Sequence, residues 1–274
     1  MNLNYSNFLF LTSTYRGRIS ALCTTLSNVM NCVTGATFVV SWTDATEFNP
    51  AVAPQSDLHL PLFHLSLIAS STGNKIVHLA SCGASVAQTK WDPRLQDYSF
   101  HYFINLDDDL LIPPLAWSSL LDGLALDDAV HTIGSIDANN SRGYTDYDAV
   151  RYSTVKAFLE TGKGVGKIKV HWIEEQSRVH YHWISQLYCL PRRVWNDETI
   201  VQPILETFSV KGMRGYDVLL EKLLVERGHT IWLCTGVTAL HFGMEAPYIG
   251  GNWDCANAVV QNVVNIEAGY VTRA

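Results

Sequence analysis

The residues in this chain that invite chemistry are carboxylates. Three stand together, Asp107-Asp108-Asp109, between the apolar runs Tyr102-Phe103-Ile104 and Leu110-Leu111-Ile112-Pro113-Pro114. Adjacent carboxylates repel one another, and an apolar setting makes their charge costlier still. A divalent cation removes that penalty, and hard oxygen ligands are those Mg²⁺ or Mn²⁺ prefers. In an extended segment, alternation sends Asp107 and Asp109 to one side and Asp108 to the other. The expectation is a DxD pair presented to one ion. The plain alternative is an acidic surface turn, and the apolar runs on both sides weigh against it.

A second acidic element is Arg214-Gly215-Tyr216-Asp217, followed by the run from Val218 to Gly228. Apolar pairs at 219/220 and 223/224 define a helix face, and Gly228 is placed to end it. Asp217 falls at the helix start. It is either an N-cap or first-turn acid, or a general base whose position the helix end fixes. The third element is Ala239-Leu240-His241-Phe242-Gly243, after the strand-like Thr230-Ile231-Trp232-Leu233-Cys234. A lone histidine after a strand is commonly structural, and its order behind two acidic elements favours a ligand role.

The elements that must position these groups alternate between strand and helix. Asn7 to Thr12 is a buried apolar strand, broken by Ser13-Thr14-Tyr15-Arg16-Gly17-Arg18. Apolar residues at 19, 22, 26 and 29 have helical spacing. Strands are expected at 36–42 and 75–79, and helices over 59–70 and from 84 to 89. Residues 50–57 read as a loop. The strongest strand signal is Tyr98 to Leu106, which ends at the acidic triplet. Such alternation implies an α/β fold with a largely parallel, doubly wound sheet flanked by helices. Ligands then sit beyond the carboxyl ends of the strands. The stretch from Asp137 to Lys169 is weakly patterned and reads as irregular.

Composition narrows the field. The 274 residues suit one domain spanning 1–274, and 47% hydrophobic content supplies its core. The net charge of −7 argues against a general nucleic-acid binder, although a local basic groove is compatible with it. The 8 Trp and 12 Tyr suit sugars and bases as well as ordinary packing. No run approaches the ~18 apolar residues of a membrane helix. The six cysteines include no CxxC pair, so reduced thiols in a cytoplasmic protein are expected.

The order of these elements resembles the GT-A glycosyltransferases, most closely their inverting family-2 type, over about residues 7 to 243. Thr12-Ser13-Thr14-Tyr15-Arg16 is similar to the family's first-strand turn, which touches the nucleotide. Thr43-Asp44 lies where an acidic residue reads the base or ribose. Asp107-Asp108-Asp109 matches the metal-binding DxD. The chain departs from the usual Ala-Arg-Asn stretch, which here reads Ala87-Gln88-Thr89-Lys90, and Lys90 is its candidate for binding the nucleotide sugar. Tyr188 to Trp195 resembles the strand leading into an Arg-containing turn. Gly215-Tyr216-Asp217 resembles the family's Glu-Asp dipeptide with Tyr in place of Glu. The family's second-half Arg-Trp acceptor motif is not evident.

The resemblance implies a metal-dependent transfer of a sugar from a nucleotide-diphosphate sugar to an acceptor hydroxyl. Asp107 and Asp109 would hold Mn²⁺ or Mg²⁺ with His241 as third ligand. Thr12, Ser13, Tyr15, Arg16, Asp44, Lys90, Asp107 and Asp108 would bind the donor. Asp217 would be the base of an inverting displacement. Trp172, His182, Trp183 and Tyr216 are acceptor-side candidates. The acceptor is left open between a glycan, a small molecule and DNA with modified bases; the basic stretch Thr161 to Lys169 would suit a phosphate-bearing one. A nucleotidyltransferase using the same metal and nucleotide site is the rival enzyme, and a catalytically silent binding module the rival non-enzyme. The single glycine after the first strand disfavours the former. Expected outcome for the cysteines: all six react with a thiol reagent in denaturant without prior reduction. Recovery of four or fewer would overturn the cytoplasmic expectation.

Overall fold

The computed structural model describes residues 3–15, 18–43, 59–80, 85–112, 114–137, 174–175, 178–180, 186–210 and 215–241, and the structural statements below refer to these. The chain opens with β1 (Leu3–Asn4) and the central strand β2 (Phe8–Thr14), followed by α1 (Ile19–Met30), β3 (Val33–Thr34) and β4 (Thr37–Trp42). Next come α2 (His59–Ser71), β5 (Lys75–Ala80), α3 (Val86–Lys90) and a 3₁₀ turn at Pro93–Asp97. Then follow β6 (Tyr102–Leu106), β7 (Leu110–Leu111), α4 (Pro114–Leu126) and β8 (Val130–Asp137). The last elements are β9 (Glu174–Glu175), β10 (Arg178–His180), β11 (Leu187–Pro191), α5 (Arg192–Trp195), α6 (Glu198–Thr207), α7 (Tyr216–Glu226) and β12 (Ile231–His241).

The main sheet runs β5-β4-β2-β6-β11-β8-β12-β10-β9, with β7 added beside the end of β12. β5, β4, β2 and β6 are mutually parallel, as are β8 and β12; β11 is antiparallel to both β6 and β8. This is the expected α/β architecture, a mostly parallel sheet with helices on both faces.

Residue alternation in the inner strands divides the core into two. Phe8 and Phe10 of β2, with Phe38, Val40 and Trp42 of β4, pack against α1, α2 and α4 through Leu22, Leu26, Leu65, Trp117 and Leu120. Leu9 and Leu11, with Val39 and Phe103, face the other way and meet Ala87, Trp195, Ile204, Leu220 and Leu224. A strand buried on both faces carries a near-continuous apolar run, which is why Phe8 to Leu11 is apolar without interruption.

The strand expected over Tyr98 to Leu106 begins later, at Tyr102. Asp92 accepts from the Arg94 amide and Pro93 sits in the first helical position, so the preceding residues close into a 3₁₀ turn. α7 ends as expected at Gly228, whose φ is 75°. The Gly228 amide bonds the Val225 carbonyl and the His229 amide the Leu224 carbonyl, a Schellman closure.

α2 ends in the same way at Gly73, and the next residue, Asn74, has a larger role. Its buried carboxamide donates to the carbonyls of Met30 (3.3 Å) and Val33 (2.9 Å) and accepts from the Ala36 amide (2.9 Å). One side chain thus satisfies the turn that carries the chain from α1 into β4. Asn74→Ala leaves these backbone groups unpaired in the interior. We expect a loss of about 3 kcal/mol of unfolding free energy in denaturant titration, with the m-value unchanged.

Candidate active site

The strands parallel to β2 end on one edge, at Trp42, Ala80, Leu106, Asp137 and His241 beside Thr14 of β2 itself. The chain leaves β2 toward β4 and β5, then returns to set β6 on the other side of β2. The crevice where connections diverge in this way is where open α/β sheets take ligands. Asp107-Asp108-Asp109 follows β6 at that point.

The triplet does not continue the strand. β6 stops at Leu106, and Asp108 and Asp109 form the turn into β7. Strand alternation therefore fails here, and Asp108 and Asp109, expected on opposite sides, converge on one guanidinium. Arg18 Nη2 donates to Asp108 Oδ1 at 2.9 Å and also to Asp109 Oδ2. Thr14 Oγ1, at the end of β2, donates to Asp108 Oδ2 at 2.6 Å. From α1, Thr25 Oγ1 donates to the Asp108 carbonyl (2.9 Å) and accepts from the Leu110 amide (3.0 Å). Asn28 Oδ1 accepts from the Ile112 amide at 2.9 Å. The helix thus grips the turn by its backbone.

Asp108 and Asp109 are each 4% exposed, whereas Asp107 is half-buried. Burial, and then the charge of Asp109, push the Asp108 carboxyl up to about 7, although Arg18 and Thr14 pull it down. One guanidinium cannot neutralise two buried carboxylates. Asp107 Oδ1 accepts from Asn105 Nδ2 at 3.3 Å, and the same amide nitrogen donates to the Gln186 carbonyl at 2.8 Å.

The described donor-side candidates Thr12, Ser13, Tyr15 and Lys90 lie on or next to the elements at this edge. Thr12 is buried in β2 opposite Val40. Ser13 Oγ lies 2.7 Å from Thr89 Oγ1, which ties α3 to the end of β2. A capping box between Ser85 and Gln88 starts α3, and Lys90 ends it. Lys90 is 1% exposed. Burial lowers its pKa, while the charges of Asp107 and Asp108 raise it, so its ammonium lies within electrostatic reach of the triplet. The Tyr15 carbonyl accepts from the Arg18 amide at 2.9 Å.

On the other flank, α7 begins behind Gly215, whose φ of 92° is left-handed. Gly215 is the N-cap, so Asp217 is a first-turn acid rather than the cap, at the positive end of the helix dipole. Its neighbour Tyr216 reaches across to Tyr188 of β11, with the hydroxyl oxygens 3.4 Å apart. Burial raises the pKa of both phenols first, and the charges of Asp107 and Asp217 raise them further. Tyr188 is the register partner of Asn105, the residue that holds Asp107. Antiparallel partners project from the same sheet face. A path of neighbouring residues therefore runs from Asp107 through Asn105 and its register partner Tyr188 to Tyr216, with Asp217 next in sequence.

His241 closes β12, with Leu110 as its partner in β7 and Asp137 in β8. Its backbone lies beside the residue that follows Asp109, and its side chain is outside the described set. Arg16, Asp44, Trp172, His182 and Trp183 are also outside the described residues. Among the described residues no cluster of three or more His, Cys, Asp or Glu is arranged to hold a metal ion. No described helix is long and apolar enough to cross a membrane, and Cys23, Cys32, Cys189 and Cys234 are free thiols.

Sequence reasoning names Thr14 only within the first-strand turn and assigns no site role to Arg18, Thr25, Asn105 or Tyr188. One signal was available. Thr25 sits on the apolar face of α1 between Leu22 and Val29 and is fully buried, and a buried hydroxyl needs a partner.

No protein-family model matches the sequence, and no curated protein matches it. Among solved structures, the chain is similar to GalNAc-T7 with UDP, GalNAc and Mn²⁺, at a TM-score of 0.56 and 11% identity, covering 88% of this chain and 44% of that one. It is also similar to residues 1–349 of S. aureus TarS, at a TM-score of 0.52 and 10% identity, covering 98% of this chain and 66% of that one. The chain thus spans less than two thirds of either. It has the GT-A glycosyltransferase fold.

The buried Asp108 carries a pH signature. Burial holds its carboxyl up at about 7 in the folded chain, against about 4 in the unfolded one. Between those values the folded state binds more protons than the unfolded one, so stability falls as pH rises. In chelating buffer the contribution is at most about 1.4 kcal/mol per pH unit. Denaturant titrations from about pH 4 to about pH 8 should show Asp108→Asn losing that component of the slope.

Proposed function

We propose that this chain is a metal-dependent glycosyltransferase with one catalytic domain, moving a sugar from a nucleoside-diphosphate donor to an acceptor hydroxyl with inversion. The observation that carries the reading is the path joining Asp107 to Asp217 through Asn105, Tyr188 and Tyr216, at the switch point of a GT-A sheet. The presence of UDP and Mn²⁺ in the GalNAc-T7 structure supports uridine diphosphate as the donor class to try first.

The donor set suits a hard divalent ion. Asp107 is half-buried at the lip, Asp109 is two residues on, and the backbone of His241 runs beside Leu110. Mn²⁺ or Mg²⁺ bound by Asp107, Asp109 and His241 would stabilise charge on the departing diphosphate. The chain's own groups do the rest. Thr12, Ser13, Tyr15, Arg16, Asp44 and Asp108 hold the nucleotide. Lys90, buried within electrostatic reach of Asp107 and Asp108, would bind the diphosphate as a cation once the donor brings its negative charge to the site. Asp217, fixed by the first turn of α7, takes the proton of the attacking hydroxyl. Tyr216, with Trp172, His182 and Trp183, lines the acceptor side. The acceptor is a glycan, a small molecule or a modified base of DNA.

Base and ligand separate by their kinetics. A panel of nucleotide sugars screened by thermal shift with Mn²⁺ identifies the donor. Asp217→Asn then holds that donor with near-native affinity while turnover drops by about 10²–10⁴-fold. Full turnover in that variant rules out Asp217 as the base. If no nucleotide sugar raises the melting temperature, the glycosyltransferase reading fails.

A further inference from the structure

Two adjacent carboxylates buried to 4% exposure need a cation, and this chain supplies its own. Arg18 Nη2 sits against Asp108 Oδ1 (2.9 Å) and against Asp109 Oδ2. Asp108 is additionally held by Thr14 Oγ1, and the turn backbone by Thr25 Oγ1. Asp109 is therefore already paired with a cation in the very position where the proposed function needs a metal ligand. A guanidinium and a divalent ion cannot both lie on one carboxylate without strong like-charge repulsion.

We infer that Arg18 is an internal counter-cation that a divalent metal ion must displace from Asp109 before that carboxylate can serve as a ligand. The inference rests on the proposed metal site and concerns how that site loads. Arg18 is suited to a movable role. Its side chain is 16% exposed, so the guanidinium sits at the rim of the carboxylate pair rather than sealed beneath it. Its Nε is buried and has no hydrogen-bond partner among the described residues, which leaves a donor unspent. A guanidinium released from carboxylate is well matched to phosphate oxygens, which it binds in the same forked geometry. Metal and nucleoside diphosphate then load together, one taking Asp109 and the other taking Arg18, and the ion by itself binds weakly.

Calorimetric titration of Mn²⁺, without nucleotide, into wild type, Arg18→Met and Arg18→Lys tests this. Removing the competing charge should tighten Mn²⁺ binding by about tenfold or more in Arg18→Met. Arg18→Lys, which keeps the charge, should stay near wild type. In EDTA, Arg18→Met should melt below wild type, and Mn²⁺ should recover much of the difference. Mn²⁺ binding to Arg18→Met no tighter than to wild type overturns the inference, as does Arg18→Lys binding as tightly as Arg18→Met. Those results leave the metal site standing if wild type binds Mn²⁺. Absence of binding in all three proteins removes the site and the inference together. If Arg18→Met does not fold in EDTA, its refolding yield with Mn²⁺ is the readout: recovery supports the exchange, and equal failure overturns it.

Discussion

An acidic turn buried at the end of β6 is tolerated only where a cation and hydrogen-bond donors reach it from elsewhere in the chain. Here they come from one stretch, from the end of β2 to the middle of α1, which brings Thr14, Arg18 and Thr25. That requirement forces β2 and β6 to lie side by side, and the parallel pairing from Phe8↔Tyr102 to Leu11↔Asn105 provides it. Once those two strands are neighbours, the outward run to β4 and β5 and the return to β6 create the switch point. The site and the topology are thus two aspects of one constraint.

The two core faces divide the labour around it. The face covered by α1, α2 and α4 holds the acidic turn, because α1 both packs through Leu22 and Leu26 and grips the turn through Thr25 and Asn28. The other face carries α7, whose Leu220 and Leu224 anchor it in the second core. This anchoring brings Tyr216, the residue before Asp217, to Tyr188. Aromatic residues serve packing before recognition. Trp42, Trp117 and Trp195 are all about 1% exposed or less, and Trp195 stacks on Phe103.

Electrostatically the site is an imbalance held in check. Asp108 and Asp109 share one guanidinium, Asp107 lies near the buried ammonium of Lys90, and Asp217 approaches from the far side through two phenols. Polar groups this close in a dry setting interact more strongly than in water. Such a concentration of charged groups beside a crevice is frequent at functional sites.

Much of this was legible in the sequence. The apolar strand before Ser13, the helix with apolar residues at 19, 22, 26 and 29, the helix from 59, and the close of α7 at Gly228 follow from local periodicity and turn chemistry. The acidic triplet is legible because its residues are adjacent. The elements α4, β8 and α6 had no such signature. Pro203 interrupts the helical pattern of α6, and the Gly134 within β8 and Gly123 within α4 mute theirs.

What the sequence determined by itself was therefore the α/β alternation and the identity of the acidic groups, because both are properties of neighbouring residues. The tertiary structure decided how those groups are paired. It turned the chain after Leu106, so that Asp108 and Asp109 meet at Arg18, and it set Asn105 across from Tyr188 and so connected Asp107 to the flank of Asp217. Arg18 and Asp109 are 91 residues apart in the chain, and Asn105 and Tyr188 are comparably distant. Only sheet register and burial, which no local pattern encodes, bring their charges within reach.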